Sequence, residues 1–183
     1  MTRIISPEEF NDAFLAAARR HQKEIDTAWW DSPKFTEVFL DDINGVLAGV
    51  ARRLGLRYYR GGWGIDAILY ERDDIVLGEW WPEQLTVVVE HENDVRGAHG
   101  EVNKLTTFNS PLKVLFTYPS LRQAPSCLAK YAKILRHADT FNDFTAHRKH
   151  LVTFGKRINE ADHVSWDSYV YRLEEFAPLG AKR

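Results

Sequence analysis

The sequence is poor in cysteine and has no long hydrophobic run. Its single cysteine, Cys127, excludes an intramolecular disulfide, as is common in proteins of a reducing compartment. No apolar stretch is long enough to span a bilayer, and the amino-terminal residues lack the apolar segment of a signal peptide. We therefore expect a soluble, cytoplasmic protein that has no membrane partner.

Motifs of several well-known chemistries are also absent from the sequence. The chain contains no P-loop, no Gly-rich dinucleotide fingerprint and no Cys or His spacing typical of zinc. Hydrophobic residues nevertheless make up 44% of the chain and aromatic residues 13%, which is enough for one sizeable core. We expect a single domain over residues 1–183.

Charge is distributed unevenly along the chain, although the net charge is only −2. Residues 1–95 hold 10 Lys and Arg against 18 Asp and Glu, whereas residues 96–157 hold 11 against 3. An acidic segment followed by a basic one is what a metal-dependent enzyme acting on a polyanion would need. A chance asymmetry, with the basic residues forming a solvated face, explains the pattern equally well.

A short apolar run in the middle of the chain ends on two carboxylates. Residues 85–89 are apolar or β-branched, which is typical of a strand buried on both faces. Because side chains alternate along a strand, Glu90 and Glu92 should point to one side and His91 to the other. Asp66 lies in a second apolar run upstream, and it joins the two glutamates if these strands pair.

Acids at the end of a buried strand need a cation, because unpaired charges beside a core are costly. A metal ion would satisfy several carboxylates at once. Three hard oxygen ligands without cysteine favour Mg²⁺ or Mn²⁺ over zinc. The sequence therefore predicts a divalent metal site built from Asp66, Glu90 and Glu92.

Hydrophobic periodicity predicts helices and strands in the order of an α/β protein with a mixed central sheet flanked by helices. The predicted helices cover about residues 6–26, 34–54, 93–108 and 124–138. The predicted strands cover about residues 56–60, 65–70, 85–92, 112–118, 150–154 and 166–173. Strand, helix and strand over residues 85–118 predict two parallel strands joined by a right-handed crossover.

Two further features have both a functional and an ordinary interpretation. A basic stripe with Lys130 and Lys133 follows the helix at 124–138, and it either contacts phosphates or simply faces solvent. Trp80 and Trp81 lie in the long connection 71–84, which we expect to border a cleft. Their rings either stack on bases or pack against the protein.

The order helix, three strands, helix, strand, with Gly64-Ile65-Asp66 on the second strand and Glu90-His91-Glu92 closing the third, resembles the PD-(D/E)xK nuclease superfamily. This resemblance implies a restriction-endonuclease-like core over about residues 34–118. The helix at 6–26 and the helix and strands over 124–176 would be additions to it. Glu92 stands where lysine is usual, and a subset of type II restriction enzymes is similar in carrying Glu there.

The resemblance also implies roles for individual residues. Asp66 and Glu90 would hold Mg²⁺ or Mn²⁺ together with the backbone carbonyl of His91, and Glu92 would complete the metal site or orient the attacking water. Lys104, on the following helix, would supply the missing lysine. The implied activity is hydrolysis of phosphodiester bonds in nucleic acid, with DNA preferred, and cutting both strands would favour a homodimer or repeated nicking.

Other interpretations of the same residues stay open. Asp66 would then cap a turn, Glu90 and Glu92 would form a solvated strand end neutralised by Arg96 or Lys104, and His91 would be a packing histidine. At the level of the whole protein, one alternative is a catalytically degenerate member of the fold that binds nucleic acid or a protein partner. The other is an unrelated α/β protein-binding or regulatory module.

Overall fold

The computed structural model describes residues 3–76, 79–140, 143–159 and 162–179. Seven strands form one mixed sheet in the order of the chain. They are β1 Arg57–Arg60, β2 Ala67–Val76, β3 Glu79–Glu92, β4 Leu112–Thr117, β5 Lys149–Lys156, β6 Ser165–Arg172 and β7 Glu175–Pro178. The helices are α1 Pro7–Arg20, α2 Gln22–Ala28, α3 Ser32–Leu40, α4 Val46–Leu54, α5 Ala98–Thr106, α6 Ala124–Ala138 and α7 Asp143–Ala146. The predicted mixed sheet flanked by helices is confirmed.

The first half of the chain contains more helices than the sequence predicts. The Ser6 side chain caps α1 by accepting a hydrogen bond from the Glu9 backbone at 3.0 Å, as expected for this start signal. The single helix predicted over 34–54 is wrong, because α3 ends at Leu40. The Asp41 side chain accepts hydrogen bonds from the backbones of Ile43 and Asn44, which holds a turn in place of another helical turn.

The sheet changes from antiparallel to parallel and back across its width. Strands β1, β2 and β3 are antiparallel, β3, β4 and β5 run parallel, and β6 and β7 return antiparallel. All six residues of β4 are buried, as expected for a strand covered by helices on both faces. The predicted parallel pairing of β3 with β4 is confirmed.

Two hydrophobic clusters cover the two faces of this sheet. Val87 and Val89 of β3 belong to the cluster built with α1, α3 and α4. Val88 belongs to the cluster on the other face, which contains residues of α5 and α6. Because β3 alternates, Glu90 shares the α5 face with Val88, and His91 lies on the α1 face.

Several element boundaries differ from the predicted ones. Strands β2 and β3 remain paired out to Val76 and Glu79, so most of the connection predicted at 71–84 is a two-stranded ribbon. Strand β7 was not predicted. In the part of the chain that the structure describes, no helix combines the length and apolar character needed to cross a membrane.

Candidate active site

Asp66 and Glu90 come together where β2 and β3 lie side by side. Asp66 follows a turn in which Gly61, Gly62 and Gly64 all adopt positive φ, a conformation that suits glycine. The turn closes through a 2.7 Å hydrogen bond from the Gly61 backbone to the Asp66 carbonyl. The Asp66 carboxylate then accepts a 2.8 Å hydrogen bond from the backbone of His91 on β3, which places it beside Glu90.

Glu90 is the most deeply buried acid of this region, with a side chain only 2% exposed. Its Oε1 forms an ion pair with the Lys104 ammonium at 2.6 Å. The angles of this contact do not fit a directed hydrogen bond. Burial raises the pKa of the Glu90 carboxyl to about 9, while Lys104 acts to lower this pKa and Asp66 acts to raise it. A cation at this position would favour the charged carboxylate.

Lys104 links Glu90 to a second acid on its own helix. Its ammonium also pairs with Glu101, one turn earlier on α5. The Lys104 side chain is 36% exposed, so it lies between the buried carboxylate and solvent. Lys104 thus pairs with both acids, as in the alternative in which it neutralises Glu90.

Glu92 is held by the loop that leads into α5. Its Oε1 accepts a 2.7 Å hydrogen bond from the Asp94 backbone, and its Oε2 lies 3.3 Å from the position of a Cβ added at Gly97. Within the described ranges, no group of three or more His, Cys, Asp and Glu residues is arranged to hold a metal ion. The acids that the structure brings together are Asp66 and Glu90.

His91 packs on the opposite face of β3, as its position in the strand predicts. Its ring stacks on Phe39 with centroids 4.5 Å apart, and its Nε2 lies 2.5 Å from the Tyr118 hydroxyl. Burial lowers the pKa of His91 to about 4, so the imidazole is neutral at physiological pH. Its side chain is a packing element, and only its backbone faces the acid pair.

The alternative interpretations are now decided in part. Glu90 is not a solvated strand end, because it is buried and its partner is Lys104. Arg96 pairs with Asp94 at 2.9 Å and is not the partner of Glu90. Asp66 does accept a hydrogen bond from a backbone N–H, but this N–H belongs to His91 of the neighbouring strand β3 and not to the turn.

The sequence did not indicate an aromatic groove at the carboxyl ends of the parallel strands. Two adjoining cavities, of about 460 and 570 Å³, share Trp29, Trp30 and Tyr118 as lining residues. We call these two cavities together the aromatic groove. The Trp29-Trp30 pair, just before the Asp31 cap of α3, was the feature of the sequence that could have indicated this groove. Only the fold places the pair above β4. The side chains of Trp80 and Trp81 lie outside the described residues.

The predicted basic stripe lies on the exposed side of α6. Lys130 and Lys133 are exposed, and Arg136 lies 3.8 Å from Glu174. Exposed charges of this kind are compatible with solvent or with phosphates.

No protein-family model matches the chain, and no curated protein matches it either.

Proposed function

We propose that this protein is a Mg²⁺- or Mn²⁺-dependent phosphodiester hydrolase of the PD-(D/E)xK type, with nucleic acid, preferably DNA, as its substrate. One observation carries the proposal. A buried glutamate at the end of a central strand lies beside an aspartate of the neighbouring strand, with a lysine ammonium 2.6 Å from the glutamate. Two carboxylates could hold a divalent metal, and a lysine ammonium beside them could stabilise charge that develops on a phosphate.

We infer that a divalent cation would bind between the two acids of the site. The carboxylates of Asp66 and Glu90 would hold it together with the backbone carbonyl of His91, and all three are hard oxygen donors. A bound metal lowers the pKa of its water and neutralises charge that develops on the phosphate. Because burial raises the pKa of Glu90, a metal would have to displace a proton there, so its binding should strengthen as pH rises.

Lys104 and Asp66 have separate tasks in this proposal. The Lys104 side chain is 36% exposed and its ammonium pairs with Glu90 and Glu101, so Lys104 could attract an incoming phosphate. Asp66 is fixed by the His91 backbone and keeps its carboxylate oriented beside Glu90. Glu92 is engaged by the Asp94 backbone, so its role toward metal or water stays a prediction.

A catalytically degenerate protein of the same fold is the second candidate. The Glu90–Lys104 ion pair already provides Glu90 with a cation, and Glu92 stands at the position of the usual lysine. Such a protein would bind nucleic acid or a partner without cutting.

Cleavage assays separate these candidates. Supercoiled plasmid and single-stranded DNA are incubated with Mg²⁺ or Mn²⁺, with EDTA as the metal-free control, for the wild type and for Asp66→Asn, Glu90→Gln, Glu92→Gln and Lys104→Met. We expect metal-dependent cutting that falls by about 10²-fold or more in Asp66→Asn and Glu90→Gln, because each removes a ligand charge. Glu174→Gln changes an exposed residue and should cut like the wild type.

A thermal shift provides a readout that does not depend on turnover. Mg²⁺ should raise the melting temperature of the wild type, because a ligand that binds only the folded state stabilises it. Glu90→Gln should lose that shift. DNA binding with neither cutting nor a metal-induced shift in melting temperature would support the degenerate candidate. Cutting that survives in Glu90→Gln would overturn the assignment of the site.

A further inference from the structure

The aromatic groove lies at the carboxyl edge of the parallel part of the sheet. Its lining includes Asn93 after β3, Tyr118 after β4 and Gly155 near the end of β5. Crevices at the carboxyl ends of parallel strands are the usual ligand sites of α/β proteins. The groove therefore begins directly after the strand that carries Glu90.

A fixed aromatic platform forms part of the groove wall. Trp29 makes edge contacts with Phe35 and Tyr118, at centroid distances of 5.3 and 5.4 Å, so its ring is held by the core. Trp30 stands at 82° to Trp29 and is 71% exposed. An indole with this exposure leaves ring surface open for stacking, and its neighbours fix where that surface lies.

The charge of the groove complements an anion. The lining cations are Arg96, Arg122, Lys156 and Arg157 and the lining acid is Asp94, while Lys156 also pairs with Asp167 at 2.5 Å. The Arg157 guanidinium is fixed by hydrogen bonds to the carbonyls of Asp26 and Asp162, at 2.8 and 2.9 Å. Arg96 is 87% exposed and pairs with an exposed acid, an interaction weak enough to yield to a phosphate.

We propose that the aromatic groove binds unpaired nucleotides of a single-stranded nucleic acid, with a base stacked on Trp30 and the backbone following the groove cations. This inference rests on the proposed function and specifies its substrate class. An open aromatic face with cations beside it suits an unstacked base, because a base inside a duplex keeps both of its faces covered.

Binding measured in EDTA tests the groove without cleavage. Fluorescence anisotropy follows a short labelled single-stranded oligonucleotide, as DNA and as RNA, and a blunt duplex of the same sequence. We expect the wild type to prefer the single strand and Trp30→Ala to weaken that binding by about tenfold, since one base–aromatic stack is lost. Arg122→Gln should reduce the slope of log affinity against log salt by about one.

Ile43→Ala is the matched control, because Ile43 is 72% exposed and does not line the groove. It should bind like the wild type. Trp30→Ala should melt at the wild-type temperature, because it removes an exposed side chain. The inference is overturned if Trp30→Ala binds the single strand as tightly as the wild type, or if the wild type prefers the duplex.

The same reagents separate this inference from the proposed function. If the wild type cuts DNA and Trp30→Ala cuts DNA and binds single strands as well as the wild type does, the groove inference fails and the hydrolase proposal stands. If single strands bind in a Trp30-dependent manner but no divalent metal supports cutting, the groove stands and the hydrolase proposal fails.

Discussion

A buried carboxylate and a buried amine occupy opposite ends of this protein's sheet, and each depends on its immediate partners. Glu90 pairs with Lys104 near the carboxyl end of β3. Lys113, near the start of β4, is fully buried and donates a 2.7 Å hydrogen bond to the Ser110 carbonyl. For each group the cost of removing charge from water is offset only by such contacts.

Lys104→Met should destabilise the protein. Because burial raises the pKa of Glu90 to about 9, we expect the loss of its cation to cost little near pH 7 and to lower the free energy of unfolding by about 1–3 kcal/mol near pH 10 in EDTA, where the carboxylate is charged. Urea unfolding measures this value. Lys133→Met, on the exposed side of α6, should change the stability by no more than about 0.5 kcal/mol. Equal effects of the two variants at the higher pH would show that the Glu90–Lys104 pair does not stabilise the fold.

Lys113→Met should stabilise the protein at neutral pH, and the gain should shrink as pH rises. Burial lowers the pKa of Lys113 to about 8, below its ordinary value of 10.5. The folded state therefore releases this proton more readily than the unfolded state, so the wild type gains stability as pH rises through this interval. Melting temperatures at about pH 7 and about pH 10 test the prediction, because the difference between variant and wild type should be larger at the lower pH. A pH-independent difference would contradict it.

Two glycines allow close contacts between elements, one at the break between α3 and α4 and one beside the aromatic groove. A Cβ added at Gly45 would lie 2.6 Å from the Asp41 carbonyl oxygen, so glycine permits the tight turn between α3 and α4. A Cβ added at Gly155 of β5 would lie 2.6 Å from the Tyr118 ring and 2.7 Å from the Trp166 ring. Glycine at this position lets the aromatic wall of the groove pack directly on the strand.

Gly155→Ala should disturb the fold and the groove together. The new methyl group meets two packed rings, an overpacking that we expect to cost about 1–3 kcal/mol of stability and to weaken single-strand binding. Gly100→Ala is the matched substitution, because no atom lies within 4 Å of its added Cβ. Within α5 it should stabilise the protein by about 0.5–1 kcal/mol. Urea unfolding and anisotropy of both variants check these outcomes, and a neutral Gly155→Ala would contradict the packing argument.

At the scale of the whole molecule, one continuous sheet joins two hydrophobic clusters. Val87 and Val89 contribute to one cluster and Val88 to the other, so a single strand is shared by both cores. The acidic and basic segments of the chain also become neighbours, because β3 pairs with β4 along six residues. Loss of either core would expose the strand on which the other packs.

Unfolding should therefore be a single cooperative transition. Far-UV circular dichroism reports the helices and strands, whereas tryptophan fluorescence includes the signals of Trp29 and Trp166, which pack on one side of the sheet. We expect the two urea transitions to coincide in midpoint and slope. Separate midpoints would show that the two clusters unfold independently.

Local pattern predicted those parts of the fold that neighbouring residues control. The bounds of α6 match the predicted helix at 124–138, and the apolar run before Glu90 forms a buried strand whose alternation sends His91 to the far face. Helical periodicity did not reveal the break at Asp41, because a side chain that captures its own backbone leaves the hydrophobic spacing unchanged. The candidate site was predicted at Asp66, Glu90 and Glu92. The hydrogen bond from the His91 backbone places Asp66 beside Glu90, whereas Glu92 accepts a hydrogen bond from the Asp94 backbone.

Residue patterns alone were enough to predict the alternation of helices and strands, the buried central strands and the acids at the end of one of them. The partner of each acid depends on the fold, which pairs Lys104 with Glu90 and the Asp94 backbone with Glu92. Folding also brings Trp30 and Arg122 to one groove from distant parts of the chain. Periodicity reports only the environment of a residue within its own helix or strand. Pairing and cavity formation depend instead on how separate elements pack, which no local pattern encodes.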